Sequence, residues 1–406
     1  MSLSFHAHTL PNGLQILAEH NPSAHSVAAG LFVKTGSRDE APDINGVSHF
    51  LEHMMFKGDD TLGWEDVNRI FDEIGARYNA FTSQEMTAYY AQVLPRFTEK
   101  ALDMLGHLLR PAIRQADFDT EKKVILEEIA MYEDDPGHRL YERVMAEHFG
   151  EHPLGMSILG PADRIEALQR DQMAGYFESR YGPGNMVLSV AGAFDFHEIV
   201  GLAEKLYGNW PRVYPDARSP SPTQHTDQRV IVNDEKLNRS YTMALTPGPS
   251  QQDDARFAAR LLADILGDDE GSRLYWKLVD PAIAEECDFG HYPHDGVGSF
   301  YLYLITDPNR DGEAFDLARS VLADASGNLT DDELARAKNK IAGGLTLQGE
   351  SIMARMRSLG ATWLYNEQYR SLEDDMQTLE AITLHDLHAV LEAFPLTPMT
   401  AVTLRP

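Results

Sequence analysis

Apolar positions along the first third of the chain change their period several times, and each change marks an element. The runs Leu14-Gln15-Ile16-Leu17 and Val27-Ala28-Ala29-Gly30-Leu31-Phe32-Val33 read as strands, joined by a turn around Asn21-Pro22. From Val47 the spacing becomes helical and runs to Gly58, after the turn signal Asn45-Gly46. A second helix is expected from Trp64 to Ile74, one or two strands from Tyr78 to Leu94, and a helix from Phe97 to Leu109. A long carboxylate-rich helix then starts near Asp117 and stops near Pro136. Two strands, two helices, two strands, two helices: that order predicts an α+β fold with helices packed on one face of a mostly antiparallel sheet.

Past the middle of the chain the same order returns. Val213 to Thr226 is rich in proline and small hydroxyl residues and reads as an extended linker. Beyond it, strands are expected at Arg229 to Val232, Tyr241 to Leu245 and Ser299 to Thr306, with a helix at Asp254 to Leu266. Helices at Glu313 to Ala325 and Asp331 to Gln348 mirror those at 97–109 and 117–132. The chain therefore reads as two homologous α+β halves, 1–212 and 227–406, joined by residues 213–226. Its 406 residues are more than one ordinary core accommodates.

Composition narrows the function classes. Hydrophobic residues make up 43% and charged residues 24%, which are globular values, and no apolar run is long enough to span a membrane. A single cysteine, Cys287, excludes an internal disulfide and fits a reducing compartment. With 35 basic against 63 acidic residues the net charge is −28, a field that repels nucleic acid and anionic membrane and attracts cationic peptides. The same charge equally serves solubility or a salty habitat. The opening Met1 to His6 lacks the marks of a signal or transit peptide, so the chain is expected to stay where it is made. A bacterial cytoplasm is the first expectation, and a mitochondrial matrix stays open if a presequence has been removed.

The chemistry gathers on the first helix. His49 and His53 lie four apart and share a face, presenting two imidazoles to one point, and Glu52 sits close enough to take a proton from water there. This is the inverted form, H-x-x-E-H, of a zinc-protease signature. On five residues alone, an amphipathic helix with core or surface histidines remains equally open. A catalytic metal needs a third protein ligand, and the helix 117–136 offers carboxylates, with Glu121 and Glu128 seven apart on one face.

The run His49 to His53, followed by Glu128 within Val124-Ile125-Leu126-Glu127-Glu128-Ile129, resembles the pitrilysin/insulinase family of inverted zincins, and most closely its branch of mitochondrial-processing-peptidase-like subunits. Further likeness runs through Leu10-Pro11-Asn12-Gly13-Leu14, Gly30 to Glu40, Gly75 to Tyr90, His152-Pro153-Leu154-Gly155 and Tyr181 to Leu188. The resemblance implies Zn2+, one per chain, on His49, His53 and Glu128, with Glu52 as general base and Glu121 orienting a ligand histidine. It implies a zinc metalloendopeptidase acting on peptides or unfolded segments in a chamber between subunits, with Asn79, Ala80, Phe81 and Thr82 as the substrate edge. Two histidines and a carboxylate also suit manganese or cobalt.

Two features depart from a self-sufficient enzyme. In the second half, helix 254–266 has no histidine and Lys340 falls about where Glu128 stands, so that half is expected to have lost the metal and to shape the chamber. Active members carry an arginine and a tyrosine seven apart there to hold the substrate carbonyl, and Val279 and Glu286 occupy those places. The expectation is a heterodimer whose related partner supplies that pair. A homodimeric peptidase with other donors, or a non-catalytic assembly subunit of the same family, stays open. His6 and His8 on a strand, and His291 and His294 in an expected loop, have no placed third ligand and are read as non-metal. His107, His148 and His152 are read as packing or hydrogen-bonding residues, and Tyr89 and Tyr90 as strand core and rim.

Overall fold

Strand Val27–Val33 is apolar at every position, and a strand of that kind needs cover on both faces. That requirement explains the main difference between the expected and the observed architecture. The computed structural model describes residues 3–218, 227–268, 270–327 and 329–406, so part of the expected linker, 219–226, lies outside the described residues. The strands are β1 (Ser4–Thr9), β2 (Gln15–His20), β3 (Val27–Val33), β4 (Arg77–Thr82), β5 (Thr87–Val93), β6 (Met186–Gly192), β7 (Gln228–Asn233), β8 (Ser240–Gly248), β9 (Glu286–His294), β10 (Val297–Thr306) and β11 (Thr400–Arg405). The first helices are α1 (Val47–Met55), α2 (Trp64–Glu73), α3 (Thr98–Leu108), α4 (Gln115–Glu133), α5 (Pro136–Phe149), α6 (Ala162–Ala167), α7 (Arg170–Arg180) and α8 (Phe196–Tyr207). They are followed by α9 (Ala255–Gly267), α10 (Asp311–Ala323), α11 (Asp331–Gly349), α12 (Ile352–Asn366), α13 (Leu372–Ala381) and α14 (Leu384–Ala393).

The chain forms two compact units that interleave in sequence. Met1–Ala130, Met156–Ser219 and Leu347–Tyr369 make the first; Met131–Gly155, Pro220–Thr346 and Arg370–Pro406 make the second. In the first unit six strands run in the order β1-β2-β6-β3-β5-β4, antiparallel except for the β2–β6 pair. Helices α1 and α3 pack on one face. The other face, which the sequence reading left uncovered, carries α12, whose Met356, Leu359 and Leu364 pack on Leu17, Ala28, Phe32, Ala88 and Val187. Gly360 is required there, because a Cβ would lie 2.5 Å from the Phe32 ring. Arg355 of the same helix pairs with Glu19 on β2, which is 1% exposed.

The second unit repeats the plan. Its strands run β7-β11-β8-β10-β9, again antiparallel except for one pair, β7–β11. Leu261, Leu262 and Leu266 of α9 pack with Phe289, Phe300 and Leu302 on one face. On the other, α5 sets Leu140, Val144 and Met145 against Met243, Leu245, Val402 and Leu404. The expected loop at His291 to His294 is instead the end of β9. Asp295-Gly296, with Gly296 at φ 74°, makes a two-residue hairpin that pairs His294 with Val297 and carries the strand to its tip. Among the described residues no helix is long and apolar enough to cross a membrane.

Candidate metal centre

Helix α1 buries Val47, Ser48, Phe50, Leu51, Met54 and Met55, which leaves His49, Glu52 and His53 half-buried on the opposite stripe. Its start is fixed by a buried carboxylate rather than by a cap from its own first turn. Gly46, in the left-handed region at φ 95°, donates its N–H to Glu40 Oε2 at 2.7 Å, and Ser48 N–H donates to Glu40 Oε1 at 2.7 Å. Asn45 Nδ2 donates to the same carboxylate at 2.7 Å. Burial pushes the Glu40 carboxyl up to about 7 although these hydrogen bonds favour its ionised form. Phe50 stacks on Phe118 of α4, ring centres 4.8 Å apart, and sets the two helices against each other.

That packing brings the three candidate ligands together. His49 Nε2 lies 3.8 Å from Glu128 Oε1, and His53 Nε2 lies 3.6 Å from Glu128 Oε2. One donor atom from each of the three falls within 4.8 Å of the others, and no other cluster of this kind occurs among the described residues. The separations exceed a hydrogen bond. They approach the roughly 3.4 Å between donors that tetrahedral bonds of about 2.1 Å require, so the set fits a divalent cation such as zinc. His49 carries a buried Nδ1 with no hydrogen-bond partner among the described residues, which leaves Nε2 as its outward-facing donor. Burial first, then the neighbouring His53, pulls the His49 imidazole down to about 4, so it is neutral at pH 7, as a ligand must be.

Around these donors the remaining sequence candidates are close by. Glu121 Oε1 accepts from His53 Nδ1 at 2.9 Å, and its other oxygen is ion-paired with Lys57. Burial opposes charge on His53, yet the Glu121 hydrogen bond and the carboxylates of Glu128 and Glu52 raise its proton affinity above the ordinary value. Thr82 Oγ1 donates to Glu52 Oε2 at 2.7 Å. Burial is the main reason that the Glu52 carboxyl sits above the ordinary range, with Glu128 adding to it and Thr82 and His53 opposing. Asn79, Ala80, Phe81 and Thr82 lie on β4, an edge of the six-stranded sheet. Alternation divides them: Thr82 reaches Glu52, whereas Phe81 packs toward α12. Glu40 and Lys57 were not singled out from the sequence.

In the second unit Val279 ends a short helical turn and Glu286 is the exposed first residue of β9. Lys340 of α11 lies 3.9 Å from Asp264 and 2.5 Å from Asp268 at the end of α9. Lys340, expected from the sequence to fall about where Glu128 stands, is paired there with these two acids.

A family model described as Insulinase (Peptidase family M16) matches residues 15–162, and one described as Peptidase M16 inactive domain matches residues 167–341. A protein of Mycobacterium leprae named an uncharacterized zinc protease is 31% identical over 392 residues, covering 94% of this chain and 87% of the relative. The chain belongs to the M16 peptidase family. The M16 fold is met again in a Helicobacter pylori protease (TM-score 0.92, 22% identity, all of both chains). A Pseudomonas fluorescens structure described as a peptidase M16 inactive domain superposes equally well (TM-score 0.93, 20% identity, 100% of this chain and 98% of that one). The inactive-domain model begins at residue 167, within the expected first half, and ends within α11.

Proposed function

We propose that this M16 chain is a zinc metalloendopeptidase that hydrolyses peptides or unfolded segments. The observation that carries the reading is the convergence of His49 Nε2, His53 Nε2 and the Glu128 carboxylate, with Glu52 held beside them by Thr82. A zinc ion bound there would supply a Lewis acid that polarises the scissile carbonyl and acidifies water. Glu52 moves the proton: it accepts one from water as the new C–O bond forms, and returns it to the amide nitrogen as the C–N bond breaks. Its raised proton affinity favours its holding that proton between the two steps. Glu121 accepts from His53 Nδ1–H, fixing the tautomer that leaves Nε2 available. Asn79 to Thr82 on the β4 edge offer main-chain pairing to an extended peptide. In this reading residues 1–212 carry the chemistry and 227–406 shape the chamber wall.

The chain is further proposed as the catalytic subunit of a heterodimer. Neither Val279 nor Glu286 can donate to an oxyanion, and such donors are worth roughly 3–4 kcal/mol each, so a related partner would bring the arginine and tyrosine. The bacterial relatives support a bacterial cytoplasm as its compartment. The test is cleavage of a pool of unstructured peptides by the zinc-loaded chain, with Glu52→Gln as control. Activity that disappears in Glu52→Gln while zinc stays near one per chain supports the peptidase reading, and cleavage by that variant at the wild-type rate refutes it. Activity of the wild-type chain alone would remove the partner and favour a homodimer, whereas silence until a related subunit is added would support the heterodimer.

A further inference from the structure

We propose that Lys57 is a positioning residue of the metal centre: it holds the Glu121 carboxylate in the orientation that presents Oε1 to His53, and so sets the direction of His53 Nε2. The proposal rests on the metal-centre reading above.

Lys57 stands just beyond the end of α1, in a turn whose backbone is tied at each step. Its N–H donates to Met54 O at 3.1 Å, and its carbonyl accepts from Arg114 Nη1 at 3.3 Å. Gly58 follows in the left-handed region at φ 86°, with its carbonyl accepting from Ala112 N at 3.1 Å. A Cβ on Gly58 would lie 2.1 Å from Leu62 O, so the turn admits glycine alone. The ammonium therefore leaves a fixed base. It pairs with Glu121 Oε2 while His53 Nδ1 uses Oε1, so each carboxylate oxygen has its own partner. Glu121 is 5% exposed, and a buried carboxylate with one oxygen unmatched is free to turn toward another donor. Lys57 removes that freedom without competing for the oxygen that faces the ligand.

Charge alone predicts the opposite effect. Glu52, Glu121 and Glu128 surround two imidazoles, and removing a nearby positive charge would make the place more attractive to a divalent cation. An orienting lysine instead predicts weaker binding when it is lost, and the two accounts differ in sign.

Wild type, Lys57→Met, Lys57→Arg, Glu121→Gln and the double variant Lys57→Met/Glu121→Gln, all stripped of metal, are titrated with zinc against a chromogenic chelator. Each is titrated again with Co2+, following its visible bands. Lys57→Met should weaken zinc binding about tenfold, in the range set by lost outer contacts of metal ligands, and should alter the cobalt spectrum. Lys57→Arg should restore most of the affinity, and the double variant should bind no more weakly than Glu121→Gln alone. Zinc binding by Lys57→Met as tight as or tighter than wild type overturns the proposal, as do losses that add in the double variant. Lys57→Gln takes the place of Lys57→Met under the same criteria if the latter does not fold. A wild-type chain that binds no zinc overturns the metal-centre reading and the Lys57 assignment with it, whereas a failure confined to the Lys57 variants leaves the metal centre standing.

Discussion

Glu40→Gln tests how the metal-bearing helix is held. Glu40 is 6% exposed, and its two oxygens accept from Asn45 Nδ2, Gly46 N–H and Ser48 N–H. Burial nonetheless pushes its carboxyl from an ordinary 4.5 up to about 7. The folded chain therefore keeps this proton up to a pH at which the unfolded chain has released it. The stability contributed by that difference is fully present below about pH 4.5 and is lost as pH rises through about 7. At about 1.4 kcal/mol per pH unit, the interval amounts to about 3 kcal/mol. Glutamine cannot ionise and escapes this loss, but its amide NH2 must face at least one backbone or side-chain donor, which costs roughly 1–3 kcal/mol. The variant should be the less stable protein at pH 5 and should draw level with or pass the wild type by pH 8. Urea unfolding of both proteins across that range measures the difference, and every titration the two share cancels. A stability difference that stays constant from pH 5 to 8 would refute the assignment of a buried, proton-retaining cap.

Three further outcomes follow from single contacts. Thr82→Val keeps the shape of the side chain but removes the hydroxyl that donates to Glu52, so kcat should fall roughly fivefold, the equivalent of about 1 kcal/mol. Zinc content should not change, and an unaltered kcat would separate Thr82 from the proton transfer. Arg355→Met leaves Glu19 of β2, among the described residues, with the Tyr369 hydroxyl as its side-chain partner and should destabilise the first unit by about 3–5 kcal/mol; a loss below about 1 kcal/mol would show that water reaches Glu19. Chelation should lower the melting temperature of the wild type, since a ligand at a thousandfold excess over its Kd contributes about 4 kcal/mol. His49→Ala should melt identically with and without chelator, and a wild type indifferent to chelation would count against a resident metal.

What could be read from the sequence was what depends on near neighbours. The spacing of His49, Glu52 and His53 is a property of one helix, and the run Val27 to Val33 declares a buried strand without reference to anything else. Glu121 and Glu128 share a face of α4 for the same reason. Contacts that cross the chain left no such mark. Nothing in the local pattern says that Glu40 will cap a helix beginning at Val47, that Lys57 will meet Glu121, or that Thr82 will turn its hydroxyl to Glu52. The exchanged helices escaped for a related reason. Neither α5 nor α12 is among the helices expected from the sequence, and the sheet each covers is chosen by the complementary surfaces of Met356 against Phe32 and of Val144 against Leu245.

The second unit shows what the frame retains when the chemistry is gone. In both units an ion pair links the end of one helix, or the turn just after it, to a long helix: Lys57, beyond α1, with Glu121 of α4 in the first, and Asp268, at the end of α9, with Lys340 of α11 in the second. The two bridges do not stand at equivalent places, since Lys340 falls about where Glu128 stands rather than Glu121, but each ties one helix layer of its own unit together. The two differ in what else the bridge touches. Lys340 also reaches Asp264, whose carboxyl burial and the adjacent Asp268 push up to about 7, and the ammonium answers the charge that burial makes costly. Glu121 reaches His53 instead, and through it the point where His49 and Glu128 converge. Lys340 thus balances two acids of its own unit. In the first unit Lys57 is held by Glu121, and His49, His53 and Glu128 keep their convergence point, the arrangement a divalent cation needs.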